Sequence, residues 1–380
     1  MAMLAQTTSF SIGSGGGGSS RSSDGEKKKT KNKQSVTTKI VGRSRAGDAT
    51  VFAIPDLKWL FDCGAPIQQW KPKIIFLTHT HADHVHFLFR FRDEHHPPTV
   101  YLPEASVPFV EACLRAYQEM IDNCSSYENH RLEEDLGNET KTIKAHCNLL
   151  GTKLQKNDDF FLRGTKADEE IFVSQGGHRF VVRTLNMVHR IPCLGYSIFR
   201  LKNRLREKYA GLPSQEIGRL RKGGVDVTTV VEEPYLCFMG DTTAEVFEHY
   251  PYVLSQHSTV LVECSFIDDK SRNRAKITKH THWDDLEPYV ASHPETMFVL
   301  IHFSLKHSAL SLRQFFREKQ LFYDNIHPML VESEIEEQWR KAGEKGPPPR
   351  CNCRVCQREQ QQKQEFSLVS RLQKVQSVVT

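Results

Sequence analysis

The six residues His79-Thr80-His81-Ala82-Asp83-His84 constrain this chain more than any other feature. They follow directly on Lys73-Ile74-Ile75-Phe76-Leu77-Thr78, an apolar run suited to a strand buried on both faces. Residues two apart in an extended chain point to one side, so His79 and His81 can grip one metal ion together. The turn that follows swings Asp83 and His84 round to face a second ion. Three imidazoles and a carboxylate are borderline ligands suited to zinc. A loop that is merely rich in histidine is the plain alternative, and Asp93-Glu94-His95-His96 shows that the chain makes such loops. Four metal-binding side chains at this spacing favour a binuclear site.

The surrounding pattern is of short strands. Thr38–Val41, a turn at Ser44–Asp48, Thr50–Ile54 and Lys58–Phe61 predict an antiparallel meander, and Pro103–Asn123 has the length and spacing of an amphipathic helix. Further strands are expected at Phe180–Leu185, Tyr196–Leu201, Leu236–Met239, Thr259–Glu263 and Met297–Ile301, with helices at Ala244–His249, Trp283–Ala291 and Ser311–Lys319. No fixed-period repeat is present. This interleaving favours a layered α/β sandwich over a purely parallel sheet.

Composition shifts at both ends. Residues 1–34, with a Gly15–Gly18 tract and the Lys27–Lys33 run, read as a disordered basic tail, and residues 340–380 as a low-complexity basic tail, leaving 35–339 as one folded domain. The first tail holds six Lys/Arg against two acids and the second nine against three, so the tails carry +10 and the body −5 within a net +5. Any claim of nucleic-acid binding therefore has to rest on a local patch. Ten scattered cysteines make no disulfide framework and fit a reducing compartment. Cys351, Cys353 and Cys356 could offer three thiolates to a metal, but no fourth ligand of suitable spacing follows, which favours an incidental cluster. No apolar run is long enough to span a membrane. The acid-poor N-terminus and the lysine run are compatible with a cytoplasmic or nuclear location, or with organellar import.

His-x-His-x-Asp-His after a buried strand is the signature of the metallo-β-lactamase superfamily, and the rest of the body resembles short-form tRNase Z in order. Pro55-Asp56-Leu57 and Phe61-Asp62-Cys63-Gly64 look like its opening strands. His189 in Val188-His189-Arg190-Ile191-Pro192 resembles the third metal-binding motif, Asp241 in Gly240-Asp241-Thr242 the bridging aspartate, and His302 in Ile301-His302-Phe303 the final ligand. The resemblance implies a four-layer αβ/βα sandwich with a projecting exosite arm. It implies two zinc ions per subunit held by His79, His81, Asp83, His84, His189, Asp241 and His302, with Asp83 also orienting or deprotonating the attacking water. Glu263 and His280 look like the pair that protonates the leaving oxygen, with His282 as a competing candidate.

Between residues 200 and 224 the chain holds eight Lys/Arg against two acids, the local patch that such binding requires. Arg200, Lys202, Arg204, Arg206, Lys208, Arg219, Arg221 and Lys222 occupy the place of the exosite arm, and interspersed glycines with Pro213 suggest a flexible one. Lys306 falls where the family usually has arginine and keeps the charge without the bidentate fork. The implied activity is removal of the 3′ trailer of precursor tRNA, by phosphodiester hydrolysis that leaves a 3′-OH, in a homodimer. A cyclic-nucleotide phosphodiesterase or thioesterase of the same fold is one alternative, which the basic stretch and His280 disfavour. A non-catalytic RNA-binding relative is another, which the full ligand set disfavours. Two departures stand out: Val85-His86-Phe87-Leu88-Phe89-Arg90 is bulky where the family turns to glycine, and Asn123–Glu169 matches nothing in the family.

Overall fold

A computed structural model describes residues 8–13, 37–67, 71–93, 95–122, 160–361 and 363–364. The Lys27–Lys33 run, residues 123–159 of the unmatched stretch and the chain beyond 364 lie outside the described residues.

Alternation along each strand sets the layers. The first sheet runs in the order β1 (Thr8–Gly13), β2 (Thr37–Ala46), β3 (Ala49–Ile54), β4 (Trp59–Phe61), β5 (Ile74–Phe76), β6 (Thr99–Pro103) and β7 (Phe161–Thr165). The second contains β8 (Glu170–Gln175), β9 (His178–Asn186), β10 (Leu194–Leu205), β11 (Thr228–Phe238), β12 (Thr259–Glu263) and β13 (Met297–Ile301), while β14 (Phe303–Ser304) crosses back to pair with β2. A last strand, β15 (Ile326–Pro328), pairs with β13 at the edge of the second sheet.

In β3, Phe52 and Ile54 join the core between the sheets while Val51 and Ala53 face outward, and in β13 Met297, Val299 and Ile301 point inward while Phe298 and Leu300 point out. Both faces of these strands are buried, which explains why they read as unbroken apolar runs. The inner core is aromatic: Trp59 meets Phe180 edge-on at 4.7 Å and Phe61 stacks on Phe238 at 4.8 Å, joining one sheet to the other. Truncating such a residue to alanine costs about 3–5 kcal/mol. Helix Val107–Asp122 covers the outer face of the first sheet through Val110 and Leu114. Helices Trp283–Ser292, Ala309–Lys319 and Glu332–Lys341 cover that of the second through Trp283, Leu286, Leu312, Phe316 and Ile335. The result is the four-layer αβ/βα sandwich.

Several boundaries differ from those expected of the sequence. The turn expected over Ser44–Asp48 narrows to Gly47-Asp48, because β2 continues to Ala46 and only Gly47 needs a positive φ of 73°. The basic stretch is an ordered β10–β11 ribbon joined through helix Ser214–Lys222. Its acids escape a local count because they lie on or just before the return strand: Lys202 and Arg204 pair with Glu233, and Arg206 with Asp226. Residues 349–356, expected from composition to belong to a polar tail, pack against the body, with Cys351 and Cys353 buried.

Candidate metal centre

The metal-ligand candidates gather at the carboxyl ends of strands that run in one direction. His79 and His81 follow β5, His189 follows β9, Asp241 follows β11 and His302 follows β13, so residues more than 200 positions apart meet in one cleft. A Cβ on Gly64 would lie 1.8 Å from the Asp83 carbonyl oxygen, so glycine is what lets the chain after β4 close on the His79–His84 loop. The Cys63 amide fastens that contact by donating to the His84 carbonyl at 2.6 Å. His302 holds a left-handed φ of 63°, an unusual conformation for a histidine and one that aims the ring back into the cleft.

Two donor groups share one carboxylate. In the first, His81 Nδ1 lies 3.0 Å from His79 Nε2 and 3.2 Å from His189 Nε2, and Asp241 Oδ2 stands 3.5 Å from His79 Nε2. In the second, His84 Nε2 and His302 Nε2 are 3.2 Å apart, Asp83 Oδ2 is 3.3 Å from His302 Nε2, and Asp241 Oδ1 is 3.4 Å from both rings. Ligands about 2.0–2.1 Å from a tetrahedral zinc stand about 3.3–3.4 Å from one another, so both groups fit such an ion. The two oxygens of Asp241 face different groups, the disposition of a bridging ligand.

In four of the five rings the unused nitrogen is held by a neighbour, which fixes the ring's orientation. His84 Nδ1 donates to Asp62 at 2.8 Å, His189 Nδ1 to the Lys279 carbonyl at 3.1 Å, and His79 Nδ1 lies 3.0 Å from Thr78 Oγ1. His302 Nδ1 lies 3.0 Å from Ser265 Oγ, which in turn donates to Glu263 at 2.6 Å. Nothing in the sequence singles out Asp62, Thr78 or Ser265 for this role. The nearest signal is Asp62's place in Phe61-Asp62-Cys63-Gly64, directly after a buried strand.

Electrostatics suit a cation. Burial pushes the carboxyls of Asp83 and Asp241 up, but the imidazoles of His302 and His84 outweigh it and hold both well below the usual carboxylate range. Burial lowers His79, His81 and His189, favouring the neutral ring a metal needs. Burial alone would lower His84 too, yet Asp241 and Asp62 carry it up to about 9. A bound cation would take the place of that proton.

Beside this cluster stands a second device. Glu263 is buried and accepts from Thr242 N at 2.7 Å, His280 Nδ1 at 2.8 Å, Ser265 Oγ at 2.6 Å and Thr281 N at 3.2 Å. Burial would lower His280, but Glu263 carries it up to about 9, which favours the cationic ring. His280 stacks on His302 at 5.3 Å and its Nδ1 is 3.8 Å from Asp241. The competing His282 is buried elsewhere: Nδ1 caps helix Trp283–Ser292 by accepting from Asp284 N at 3.2 Å, and Nε2 reaches the Asp268 carbonyl at 3.0 Å.

The structure spreads the basic candidates. Arg200 packs over Phe180 and Tyr235 at the root of the ribbon. Lys208, Arg219, Arg221 and Lys222 are exposed toward its end and form no ion pair among the described residues. Lys306 is exposed on the loop after β14, which Arg45 braces by donating to the Ser304 and His307 carbonyls. The bulky Val85–Arg90 segment turns outward instead of blocking the cluster: Val85, His86, Leu88 and Phe89 line a cleft against helix Val107–Asp122, where Phe89 stacks on Tyr117 at 4.0 Å.

The layers and the ligand geometry are those of the metallo-beta-lactamase fold, and residues 57–116 match the model described as the metallo-beta-lactamase superfamily. Among proteins of known activity, the chain is similar to enzymes named tRNase Z. It is 25% identical to the chloroplastic tRNase Z TRZ2 of Arabidopsis thaliana over 72% of this chain and 70% of that one, and 26% identical to tRNase Z TRZ1 of the same plant over 71% and 86%. The nuclear ribonuclease Z of Triticum aestivum is 27% identical over 50% of this chain and 92% of its own.

Proposed function

We propose that the chain is a zinc-dependent endoribonuclease that removes the 3′ trailer of precursor tRNA and leaves a 3′-OH. The coarser reading, a metal-dependent RNA phosphodiesterase, follows from the superfamily and its tRNase Z kin. One observation carries the finer reading: a buried glutamate saturated with donors holds the His280 ring, at 2.8 Å, beside the metal cluster. Thioester hydrolysis has little need of such an acid, because a thiolate leaves unaided, whereas a ribose 3′-oxygen leaves poorly without a proton.

His79, His81, His189 and Asp241 would hold one ion, and Asp83, His84 and His302, with the Asp241 Oδ1 that stands 3.4 Å from both rings, the other. Two zinc ions, when bound, supply Lewis acidity and make water acidic enough to deprotonate near neutral pH. Asp83 positions the attacking water and is itself steadied by the Gly47 amide at 2.7 Å. His280 gives its proton to the departing 3′-oxygen, while Glu263 keeps the ring oriented and cationic. The exposed cations of the β10–β11 ribbon and Lys306 grip phosphates without reading bases. We place the catalytic domain at 35–339, to which β1, read from composition as part of a disordered tail, adds an edge strand and residues 349–356 a packed return, with the ribbon of one subunit serving the site of a second copy in a homodimer. A nuclear or organellar address fits both the N-terminal composition and the similarity to chloroplastic and nuclear enzymes.

The test compares a precursor tRNA with an activated diester, bis-p-nitrophenyl phosphate, whose leaving group needs no proton. His280→Gln is expected to lose about 10²–10⁴-fold on RNA and little on the activated ester. Equal loss on both substrates would remove the general-acid assignment. Failure of the wild type to cut beside the discriminator base would remove the tRNA reading and favour a small-substrate hydrolase.

A further inference from the structure

A second cluster of metal-binding side chains lies apart from this centre, at the β15 edge. His327 sits on β15, and Cys351, Cys353 and Cys356 come from the segment that returns after helix Glu332–Lys341. His327 Nδ1 is 3.2 Å from Cys353 Sγ and 3.7 Å from the sulfurs of Cys351 and Cys356, and all four donor atoms lie within 4.8 Å of one another. Tetrahedral zinc, with Zn–N of about 2.0 Å and Zn–S of about 2.3 Å, sets N···S edges of about 3.5 Å and S···S edges of about 3.8 Å. All three cysteines are free thiols.

The scaffold brings these donors together by contacts that owe nothing to a metal. Arg317 donates to the Arg350 carbonyl at 2.7 Å, Gln320 Oε1 accepts from Asn352 N at 2.9 Å, and the Arg354 amide donates to the Asp324 carbonyl at 2.9 Å. Gln320 Nε2 points at Cys351 Sγ, 3.2 Å away, an N–H···S contact of the kind that steadies a coordinating thiolate. Cys351 and Cys353 are 7% and 0% exposed, so at least two of the sulfurs are shielded from solvent oxidants and ready for a buried ion. Three sulfurs and one nitrogen fill a tetrahedron and leave no position for substrate, the pattern of structural sites.

We propose that His327, Cys351, Cys353 and Cys356 bind one structural zinc ion that fastens the returning segment to β15. The site also closes the edge where the two sheets meet: Phe10 of β1 packs on the His327 ring at 4.7 Å and shares the inner core with Met329 and Val355. The proposal is independent of the nuclease reading, and its readouts do not involve RNA.

Full-length protein, purified with reductant, would be loaded with cobalt alone. Thiolate-to-cobalt charge transfer gives near-ultraviolet absorption that the nitrogen and oxygen ligands of the other cluster cannot produce. The wild type is expected to show this band, and Cys353→Ser and Cys356→Ser each to lose it together with one ion per chain. Because those variants could fail to fold, a second measurement uses the wild type: in zinc-loaded protein the three thiols should resist alkylation and become reactive after chelation. Cobalt-loaded wild type without the band, or thiols that react equally before and after chelation, would overturn the proposal.

Discussion

Two clusters of metal-binding side chains occupy this fold, and they are built in opposite ways. The His/Asp centre shares a single carboxylate between two donor groups and opens to solvent at His81 and Asp83. The Cys/His cluster at β15 uses sulfur, has one donor group and buries Cys351 and Cys353 against Gln320 and the returning segment, with Cys356 half-exposed. Oxygen and imidazole ligands with an open face suit exchange and chemistry, whereas thiolates in a closed tetrahedron suit permanence. Under the two proposals above, the same element would serve reaction at one place and fastening at the other.

The largest expected effect tests whether the two clusters are separable. Asp241→Ala removes the carboxylate that both donor groups share, so hydrolysis of precursor tRNA should fall on the order of 10³-fold or more. Metal analysis should show the loss confined to the His/Asp centre; loss of thiolate-bound metal as well would mean that the clusters are coupled. Next in size, Glu263→Gln should cost about 10²–10⁴-fold in turnover on RNA while the chain keeps its metals, because Glu263 acts through His280. A simultaneous fall in metal content would instead make Glu263 a part of the cage, through Ser265 and His302.

Asp62→Asn probes the layer behind the ligands. It weakens the hydrogen bond that orients His84 and should reduce metal affinity about 10–100-fold, visible as faster stripping by a chelator at the His/Asp centre alone. The smallest effect belongs to the surface. Replacing Arg219, Arg221 and Lys222 by alanine should leave both metal contents unchanged and weaken RNA binding, with the slope of log affinity against log salt flattening by about 1 for each phosphate that is no longer neutralised. An unchanged slope would assign RNA binding to another face.

The two clusters also differ in how legible they are in the sequence. Lys73–Thr78 and the four ligands after it are contiguous, so strand period and turn place His79 and His81 in one group and Asp83 and His84 in the other. Thr259–Glu263 and Met297–Ile301 are legible for a similar reason: burial on both faces leaves an apolar run with sharp ends. A local count overstates the ribbon's net charge because Glu233 and Asp226 enter through antiparallel register, beyond any local window. The choice between His280 and His282 is undecidable in sequence, since both flank Thr281; backbone direction sends one to Glu263 and makes the other a helix cap.

By itself the sequence determined the layered α/β architecture and the His79–His84 cluster, because strand period and short-range spacing act locally along the chain, whereas His189, Asp241 and His302 were picked out only by resemblance to a known family. Tertiary structure alone decided that the oxygens of Asp241 divide between two groups, that Asp62 and Ser265 stand behind the rings, and that His327 supplies the fourth donor that Cys351, Cys353 and Cys356 lack in sequence. The physical reason is that parallel pairing of β13 with β15, and the return of the chain after residue 341, set distances that no spacing along the polypeptide encodes.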